Sequence, residues 1–373
     1  MRYLFYSSSI KFSFILLIVG NFFLIYNCYS QLPKSEIGER YFYRGVRSLG
    51  MGGVQVSTVN DETALFINPA HLLRLRDVYF ITLDAELDFS DTFYWPISKT
   101  SPIGNPLDLN SVFNSLNHSP NVNYYFRGLL SSIFASQYFS LGFFSQQWLA
   151  GRIDSDNNVA QAFYRDDQSL TAGIALRFLD GHLKIGGAAK LVSRIELDNM
   201  QPLPAYFSID HQGRSGSGLG YDAGVTITLP WPYHPTLSVV YRDIGGIRFD
   251  QKIFDRRTLF THPEVQNQSV DLGFSLFPIH SSTSRSVIAV EAHDLERISY
   301  KQSKIRHLHV GYEYNYKDVL FLRTGLNQGL WTLGLEIASE HTQLQLAWYA
   351  DDMGPDGQSL PSRRYVVKWS YRF

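Results

Sequence analysis

From Asp77 onward, apolar and polar residues alternate with a period of two, the pattern of β-strands that have one apolar face. In the first such segment, three acids lie on the face opposite the apolar side chains. The apolar set is Tyr79, Ile81, Leu83, Ala85, Leu87 and Phe89, and the opposite set is Thr82, Asp84, Glu86 and Asp88. Because burying unpaired charge in an apolar core is costly, this strand predicts a wet interior lined by carboxylates.

The alternation returns along most of the chain. We identify about fourteen segments, which begin near residues 77, 126, 139, 167, 182, 217, 235, 268, 285, 305, 319, 330, 342 and 364. The weakest is 126–136, which does not alternate and is open to a strand or a helix. An even number of strands is typical of single-chain bacterial barrels, so the pattern favours an all-β, antiparallel transmembrane barrel of about 14 strands.

The lengths of the connections support a barrel independently. Long connections (91–123, 152–166, 197–216, 246–266, 296–304, 352–363) alternate with short turns near Gln137, Asp180, Trp231, Ile279, Lys317 and Glu340. The exception is the short connection 327–329, which falls where a long loop is due. Apart from that exception, this alternation predicts that the tight turns lie on one side of the membrane, together with both termini of the barrel.

Composition is consistent with lipid-facing and lumen-facing positions in one chain. Aromatic residues make up 15% and charged residues 18%, yet the mean hydropathy is only -0.13. Transmembrane strands that alternate apolar and polar positions produce this combination. With 33 basic and 34 acidic residues, the charge balance predicts no nucleic-acid partner.

The first 30 residues are typical of a secretory signal. They contain Arg2 and Lys11, no acid, and an apolar run over 12–26, and Cys28-Tyr29-Ser30 resembles a cleavage site before Gln31. The alternatives are an uncleaved anchor and a lipoprotein acylated at Cys28. Cleavage would remove the only cysteine, and with it thiolate catalysis and Cys-based zinc sites. We therefore divide the chain into a signal peptide (1–30), an N-terminal periplasmic or hatch segment (31–76) and a barrel (77–373).

The stretch 47–72 precedes the first strand and carries a specific pattern. Arg47, the glycines at 50, 52 and 53, Asp61 and the triplet Asn68-Pro69-Ala70 resemble the N-terminal signature of the FadL-like outer-membrane barrels. That family includes fatty-acid and hydrocarbon transporters and the PorV-type proteins of type IX secretion. The resemblance implies that the segment folds into the barrel as a hatch. Its hatch positions would be Gly50, Gly52, Gly53, Asn68, Pro69 and Ala70, with Arg47 and Asp61 as polar anchors. The family commonly has Gly after the triplet, whereas this chain has His71, so the turn there is open.

The last strand carries a second signal. Tyr365, Val367, Trp369, Tyr371 and Phe373 alternate with polar residues up to the C-terminus. A terminal Phe on such a strand resembles the signal by which the barrel-assembly machinery recognises its clients. Tyr371 and Phe373 are therefore the expected assembly signal.

Charged positions on the inner face predict a lumenal polar network. Besides Asp84 and Glu86, it would pair Glu291, Glu313 and Glu336 with Lys184, Lys190, Arg194 and Arg323. His307 and His309 share a strand face and could bind a metal. No third ligand is identifiable, so we predict neither a metal nor a cofactor. Without a nucleophilic serine elbow or a phosphate loop, the sequence predicts no enzyme.

These features together predict passive uptake of a hydrophobic small molecule, a long-chain fatty acid or similar, through a hatch-gated barrel in the outer membrane of a Gram-negative bacterium. Phe93, Tyr94 and Trp95 in the first long connection would form a capture surface. The expected partners are outer-membrane lipid, the apolar ligand and the assembly machinery. The alternative is a PorV-type surface protein that binds secreted proteins or secretion-system partners and transports nothing, and a third is a purely structural barrel.

Overall fold

We describe the protein from a computed structural model, over residues 42–91, 105–156, 158–251, 253–254, 256–257, 259, 261–297, 304–353 and 359–372. The expectations for the signal peptide, for Cys28, for Phe93 to Trp95 and for Phe373 lie outside these described residues. Within them, every helix is too short or too polar to span a lipid bilayer.

The fold is a closed antiparallel barrel in which each strand pairs with its sequence neighbours and β1 pairs with β14. The strands are β1 (Tyr79–Ser90), β2 (Tyr124–Ala135), β3 (Phe139–Asp154), β4 (Val159–Phe178), β5 (Leu183–Pro202), β6 (Arg214–Thr228), β7 (Thr236–Arg242), β8 (Ser269–Leu276), β9 (Ser284–Ala292), β10 (Leu308–Tyr316), β11 (Leu320–Asn327), β12 (Leu330–Ala338), β13 (Thr342–Asp352) and β14 (Pro361–Arg372). The fourteen-strand antiparallel barrel is thus confirmed, and the segment near 126–136 is a strand.

Alternation places the two kinds of side chain on the two faces of the wall. Apolar residues such as Leu87, Ile174 and Leu333 are exposed on the outside and form an apolar belt. Charged residues such as Asp84 and Glu313 are buried on the inside. We call the end of the barrel that carries the turns near residues 137, 180, 231, 279, 317 and 340 the turn end, and the opposite end the loop end.

A bulge near the turn end of β1 corrects one detail of the alternation. The pairing of β1 shifts register after Ile81 on both sides, so one extra residue is inserted. Ile81 is therefore inside the barrel and 0% exposed, whereas Thr82 is outside. The prediction that Ile81 shares the outer face with Leu83 was wrong because a period-two pattern does not register an inserted residue.

The predicted long connection 152–166 was also wrong. Strand β3 continues to Asp154 and β4 begins at Val159, so the connection is only 155–158. These strands rise past the apolar belt, whose upper edge on this side is the paired row Leu170, Leu191 and Leu219. Helices and loops cover the outer face of this extension, and that cover lets the strands remain paired beyond the belt.

Four short α-helices accompany the strands in the described part of the chain. They are α1 (Val46–Gly50), α2 (Ala64–Ile67), α3 (Leu109–Leu116) and α4 (Ile209–Gln212). Asp108 caps α3 by accepting a hydrogen bond from Ser111 N at 2.8 Å. Helix α3 lies against the outer face of the wall extension, where Phe113 packs on Phe207 with ring centroids 4.6 Å apart and approaches Gly151 closely. The extension is therefore a two-layered structure at the loop end.

The connection between β7 and β8 reaches both faces of the wall. Ile247 and Phe249 are buried inside with Val192, and Arg194 lies 4.6 Å from the Phe249 ring. Arg256 lies farther along and donates to Asp166 Oδ1 at 2.6 Å, on the outward face of β4. The connection thus folds over the loop end of β6, and the part inside the barrel narrows the lumen.

Candidate functional site

Residues 42–75, which we call the hatch, lie inside the barrel. The hatch contains α1, α2 and a 3-10 helix, Pro69–Arg74. Its first arm, residues 44–57, packs against β8–β14, and its second arm, residues 58–75, packs mainly against β2–β7. Between residues 58 and 68 the α-helix is limited to α2. Pro69 ends α2 and begins the 3-10 helix, whose N-cap is Asn68.

The wall meets the hatch through inward-facing glycines. Each of the following wall glycines has a hatch residue among its nearest neighbours: Gly142, Gly173, Gly186, Gly224, Gly273, Gly311, Gly325 and Gly334. A Cβ at Gly334 would come within 3.0 Å of Gly50 Cα, and one at Gly186 would overlap the Pro69–Ala70 backbone. A glycine inside a strand marks such a close backbone approach. The hatch is therefore seated directly on the wall over much of its circumference.

Gly52 and Gly53 form the bend in the first arm. Their φ angles are +72° and +86°, a region that side chains disfavour. Gly52 N donates to Thr332 Oγ1 at 2.9 Å, and Gly52 O is 2.9 Å from His309 Nδ1. The bend is thus shaped by two glycines and held by two barrel strands.

One carboxylate holds the end of the first arm. Glu291 accepts hydrogen bonds from the backbone N–H groups of Gln55 (2.8 Å), Val56 (3.0 Å) and Ser57 (2.8 Å). It also accepts one from Ser57 Oγ, and His293 Nε2 lies 2.8 Å from its Oε2. Charge-assisted bonds of this kind are stronger than neutral ones, so Glu291 is a main attachment of the hatch to β9.

Two arginines of the first arm bind wall acids. Arg47 binds Glu313 through two parallel hydrogen bonds of 2.9 and 2.8 Å. Glu313 also accepts from Arg323 at 2.6 Å, and Arg323 pairs with Glu336. Arg44 pairs with Asp351 at 2.9 Å. The first arm is therefore attached through buried, directional ion pairs on β10 and β13.

The second arm is held mainly by apolar packing. Leu65, Phe66 and Leu72 form a cluster with wall residues that include Leu129 and Phe144. The Phe66 and Phe144 rings meet edge to face at 5.2 Å. Burial of such side chains contributes roughly 1.5–3 kcal/mol each.

Polar side chains fix the direction of the second arm. Asn68 accepts from Ala70 N at 3.1 Å and donates to Val56 O at 2.8 Å, so it ties the two arms together. His71 stands at the position after the triplet, where the FadL-like family commonly has Gly, and it is fully buried. Its Nδ1 lies 2.7 Å from Val59 O and its Nε2 lies 3.2 Å from Ser238 Oγ. Burial and the nearby Arg74 charge lower the pKa of His71 well below its usual value, which favours the neutral ring.

A column of charges runs along the lumen between the hatch and β14, β1 and β2. Arg127 pairs with Glu86 and Asp88, and Lys368 lies 2.8 Å from Asp84 and 4.0 Å from Glu62 of the hatch. Burial, with the charge of Asp61 beside it, raises the pKa of Glu62 to about 7, while Lys368 opposes the shift. On this side, long charged side chains take the place that glycines occupy elsewhere.

An aromatic cluster lines the lumen on the loop-end side of this column. Tyr125, Trp148 and Phe163 are buried together, and the Trp148 and Phe163 rings stack at 4.4 Å. Arg165 lies over both rings and is bound to Glu196 at 2.9 Å. Arg364 lies 3.6 Å from the Tyr125 ring centroid and pairs with Asp351. Planar apolar surface is therefore built into the lumen beside paired charges.

The architecture is shared with bacterial hydrocarbon transport barrels. The CymD monoaromatic hydrocarbon channel matches at a TM-score of 0.52 and 12% identity, over 88% of this chain and 96% of its own. The toluene transporter TodX of Pseudomonas putida matches at 0.52 and 13%, over 91% and 100%, and the toluene transporter TbuX of Ralstonia pickettii at 0.51 and 13%, over 88% and 98%. The chain has the FadL-like barrel fold. No protein-family model and no curated protein matches the sequence.

In this FadL-like barrel, the other predicted network residues have partners different from those expected. Lys190 pairs with Asp222 at 2.8 Å and with Asp243 at 2.6 Å. Arg194 pairs with Asp167 at 2.7 Å. Lys184 makes no ion pair among the described residues. The predicted pairing is present only where Arg323 meets Glu313 and Glu336, because strand register, which the pattern left undefined, selects the partners.

The remaining predicted residues lie as follows. Asp61 accepts from Thr63 N at 3.0 Å and so bonds within the hatch turn. His307 and His309 are both buried, and no group of three or more potential ligands is placed to hold a metal in the described part of the chain. Tyr371 pairs with Leu83 and Thr342 in the closing strands of the barrel.

Several residues that hold the hatch were missed by sequence reasoning. They include Arg44, Asp351, Glu62, Lys368 and the wall glycines. The glycines had a detectable signal, since each lies on the inner face of an alternating strand. The charged residues had none, because any inward charge could have served as partner to any other.

Proposed function

We propose that this FadL-like barrel lies in the outer membrane of a Gram-negative bacterium and passes hydrophobic small molecules inward without an energy source. The turn end faces the periplasm, and a cleaved signal peptide over residues 1–30 directs export. Tyr371 and Phe373 serve as the signal for the barrel-assembly machinery. The observation that carries the proposal is a closed barrel with an apolar outer belt whose lumen holds both a hatch and an aromatic cluster.

The aromatic cluster favours a ligand with planar apolar surface. Stacked rings such as Trp148 and Phe163 bind other rings by offset or edge contacts, each worth about 0.5–1.5 kcal/mol beyond area burial. The similar proteins include a monoaromatic hydrocarbon channel and toluene transporters. We therefore place small aromatic hydrocarbons ahead of long-chain fatty acids as the first ligands to test.

Uptake of labelled toluene and labelled oleate by a Gram-negative host that lacks its own FadL-type barrels tests this function. We expect the intact chain to raise toluene uptake several-fold over empty vector, and Trp148→Ala to abolish most of the gain. Trp331→Ala is the matched control, since Trp331 is exposed on the outside of β12. Equal uptake with and without the chain, for both labels, would overturn the proposal.

The PorV-type alternative has one structural observation in its favour. Strands β3, β4 and β5 rise past the apolar belt as a rigid, two-layered extension at the loop end, a surface that a secreted protein could contact. Secreted proteins that co-purify with the intact chain, in a host where uptake is unchanged, would support this function instead.

A further inference from the structure

Two cations at the turn end of the lumen lack an acidic partner. Arg74 ends the 3-10 helix of the hatch, and Lys184 is the second residue of β5, facing inward. Across the described residues, neither forms an ion pair, whereas Arg47, Lys190, Arg194, Arg323 and Lys368 all do. A charge loses hydration as it is buried, and in the described part of the chain neither cation has an acid beside it to compensate, so this pair is electrostatically incomplete.

The 3-10 helix that ends at Arg74 lies directly on β5, since a Cβ added at Gly186 would come within 2.3 Å of Ala70 N. The two charges therefore influence each other and a third group. The Arg74 charge acts on Lys184, and Arg74, Lys184 and Arg47 all act on buried His71. Burial, and then the Arg47 charge, lowers the pKa of Arg74 to about 10. Asp180, the acid in the turn before β5, pairs with neither cation. A region of net positive potential therefore faces the turn end.

Arg74 is held in place and still has free hydrogen-bond donors. Its Nη1 donates to Ser57 O at 2.8 Å, and its guanidinium lies 4.6 Å from the Phe277 ring centroid. Among the described residues, its Nε and Nη2 groups have no hydrogen-bond partner. A guanidinium fixed in this way, with one edge free, matches the two oxygens of a carboxylate or phosphate.

We propose that Arg74 and Lys184 form a binding site for an oxyanion, the carboxylate or phosphate group of a small molecule, which enters from the turn end of the lumen. Lys184 supplies the point charge and Arg74 the planar donors. Thr226, which pairs with Lys184 across β5 and β6, lies on the same inner face. The site does not depend on transport, and it would exist equally in a barrel that moves nothing.

Isothermal titration of the purified full chain in a nonionic detergent tests the site. The probes are inorganic phosphate and sodium decanoate, each against sodium chloride at equal ionic strength. We expect saturable binding of at least one probe, and at least a tenfold loss of affinity in Arg74→Gln and in Lys184→Gln. Arg76→Gln is the matched control, because Arg76 is exposed, two residues farther on, and lies 3.6 Å from Asp318. Its affinity should stay within twofold of the wild type.

The two probes distinguish the source of the oxyanion. Binding of phosphate alone indicates a free anion, and binding of decanoate alone indicates the head of an amphiphile whose chain lies against Phe277. Heat-dependent gel mobility checks that each variant keeps its barrel, and Arg74→Lys should recover part of the binding. Wild-type affinity in both glutamine variants, or no binding of either probe above chloride, would overturn the site. Neither outcome bears on uptake of toluene.

Discussion

The first arm of the hatch meets the barrel through charged side chains and backbone groups, whereas the second arm meets it through apolar side chains. Glu291, Glu313 and Asp351 on the wall bind the first arm, and Leu129 and Phe144 pack against the second. Ion pairs and hydrogen bonds require particular atoms at particular distances, while apolar contacts require only volume and shape. The first arm is therefore fixed in register, and the second arm is fixed by how well it fills the space beside it.

The difference between the contacts of the two arms also indicates which part of the hatch could move. Displacing the first arm would leave several buried charges without partners, which costs roughly 3–5 kcal/mol for each broken pair. Displacing the second arm exposes apolar surface, which an apolar ligand could cover in exchange. If the hatch admits a ligand, we expect residues 58–75 to shift while residues 44–57 stay in place.

The largest effect is expected from adding a side chain at Gly186, where the second arm lies directly on the wall. In Gly186→Val, the new side chain overlaps the backbone of Pro69 and Ala70, so the second arm must leave the wall. Limited proteolysis should then cut within residues 58–75 while the barrel keeps its heat-dependent gel mobility. Gly187→Val is the control, because Gly187 faces outward and a Cβ there would meet only Asp222 O at 3.8 Å. Equal cleavage of both variants would contradict the close contact between Gly186 and the second arm.

The next effect tests the first arm. Glu291→Gln replaces two charged acceptors with one neutral acceptor and one donor, so backbone N–H groups of Gln55 to Ser57 lose partners. We expect their hydrogen exchange to accelerate about 100-fold or more, which corresponds to about 3 kcal/mol. Second-arm exchange should change much less. Glu340→Gln, in an exposed turn, serves as control, and an unchanged exchange rate at Ser57 would contradict the role of Glu291.

A smaller, pH-dependent effect is expected in the second arm. Because the pKa of Glu62 is raised to about 7 when folded, the hatch is more stable below the unfolded pKa near 4.5 and loses that stability as pH rises through 7. The charges of Asp61, Lys368 and Asp84 act on this carboxyl. Glu62→Gln should slow exchange of the second arm at pH 8 and leave it unchanged at pH 5. His71 acts in the opposite direction below pH 6.5, since its neutral form is favoured. Identical pH profiles in wild type and variant would refute the assignment.

The smallest effect is expected at the bend of the first arm. Thr332 Oγ1 accepts from Gly52 N at 2.9 Å and donates to Gly50 O at 3.1 Å. Thr332→Val removes both bonds without changing the volume and should cost about 1–2 kcal/mol of local stability, read as faster exchange at Gly52. Thr324→Val on the neighbouring strand should not affect Gly52, because its hydroxyl bonds only Thr332 O.

Much of the barrel could be predicted from alternation alone. A strand that separates lipid from a polar lumen needs apolar and polar residues at successive positions. The alternation in Leu170 to Phe178 and in Leu308 to Tyr316 is therefore enough to identify both segments as strands. The bulge after Ile81 and the continuation of β3 and β4 past the belt could not be predicted in this way. The first inserts a residue, and the second depends on cover from α3 and from the loop around Phe207, which are distant in sequence.

The sequence by itself determined which residues of the regular strands face the lumen, though not those beside the bulge of β1, and which stretch is able to enter it. Gly50, Gly52 and Gly53 permit a bend that other residues resist, and Asn68-Pro69 ends one helix and begins another, because both effects are local properties of the backbone. Only the tertiary structure decided the partners. Glu291 meets three N–H groups more than 230 positions away in the chain, and Lys190 pairs with Asp222 rather than with Glu291. The charges of Arg74 and Lys184 act on each other, and neither has an acidic partner among the described residues. Pairing of charges depends on distances across the closed barrel, and those distances are set by strand register rather than by the spacing of residues along the chain.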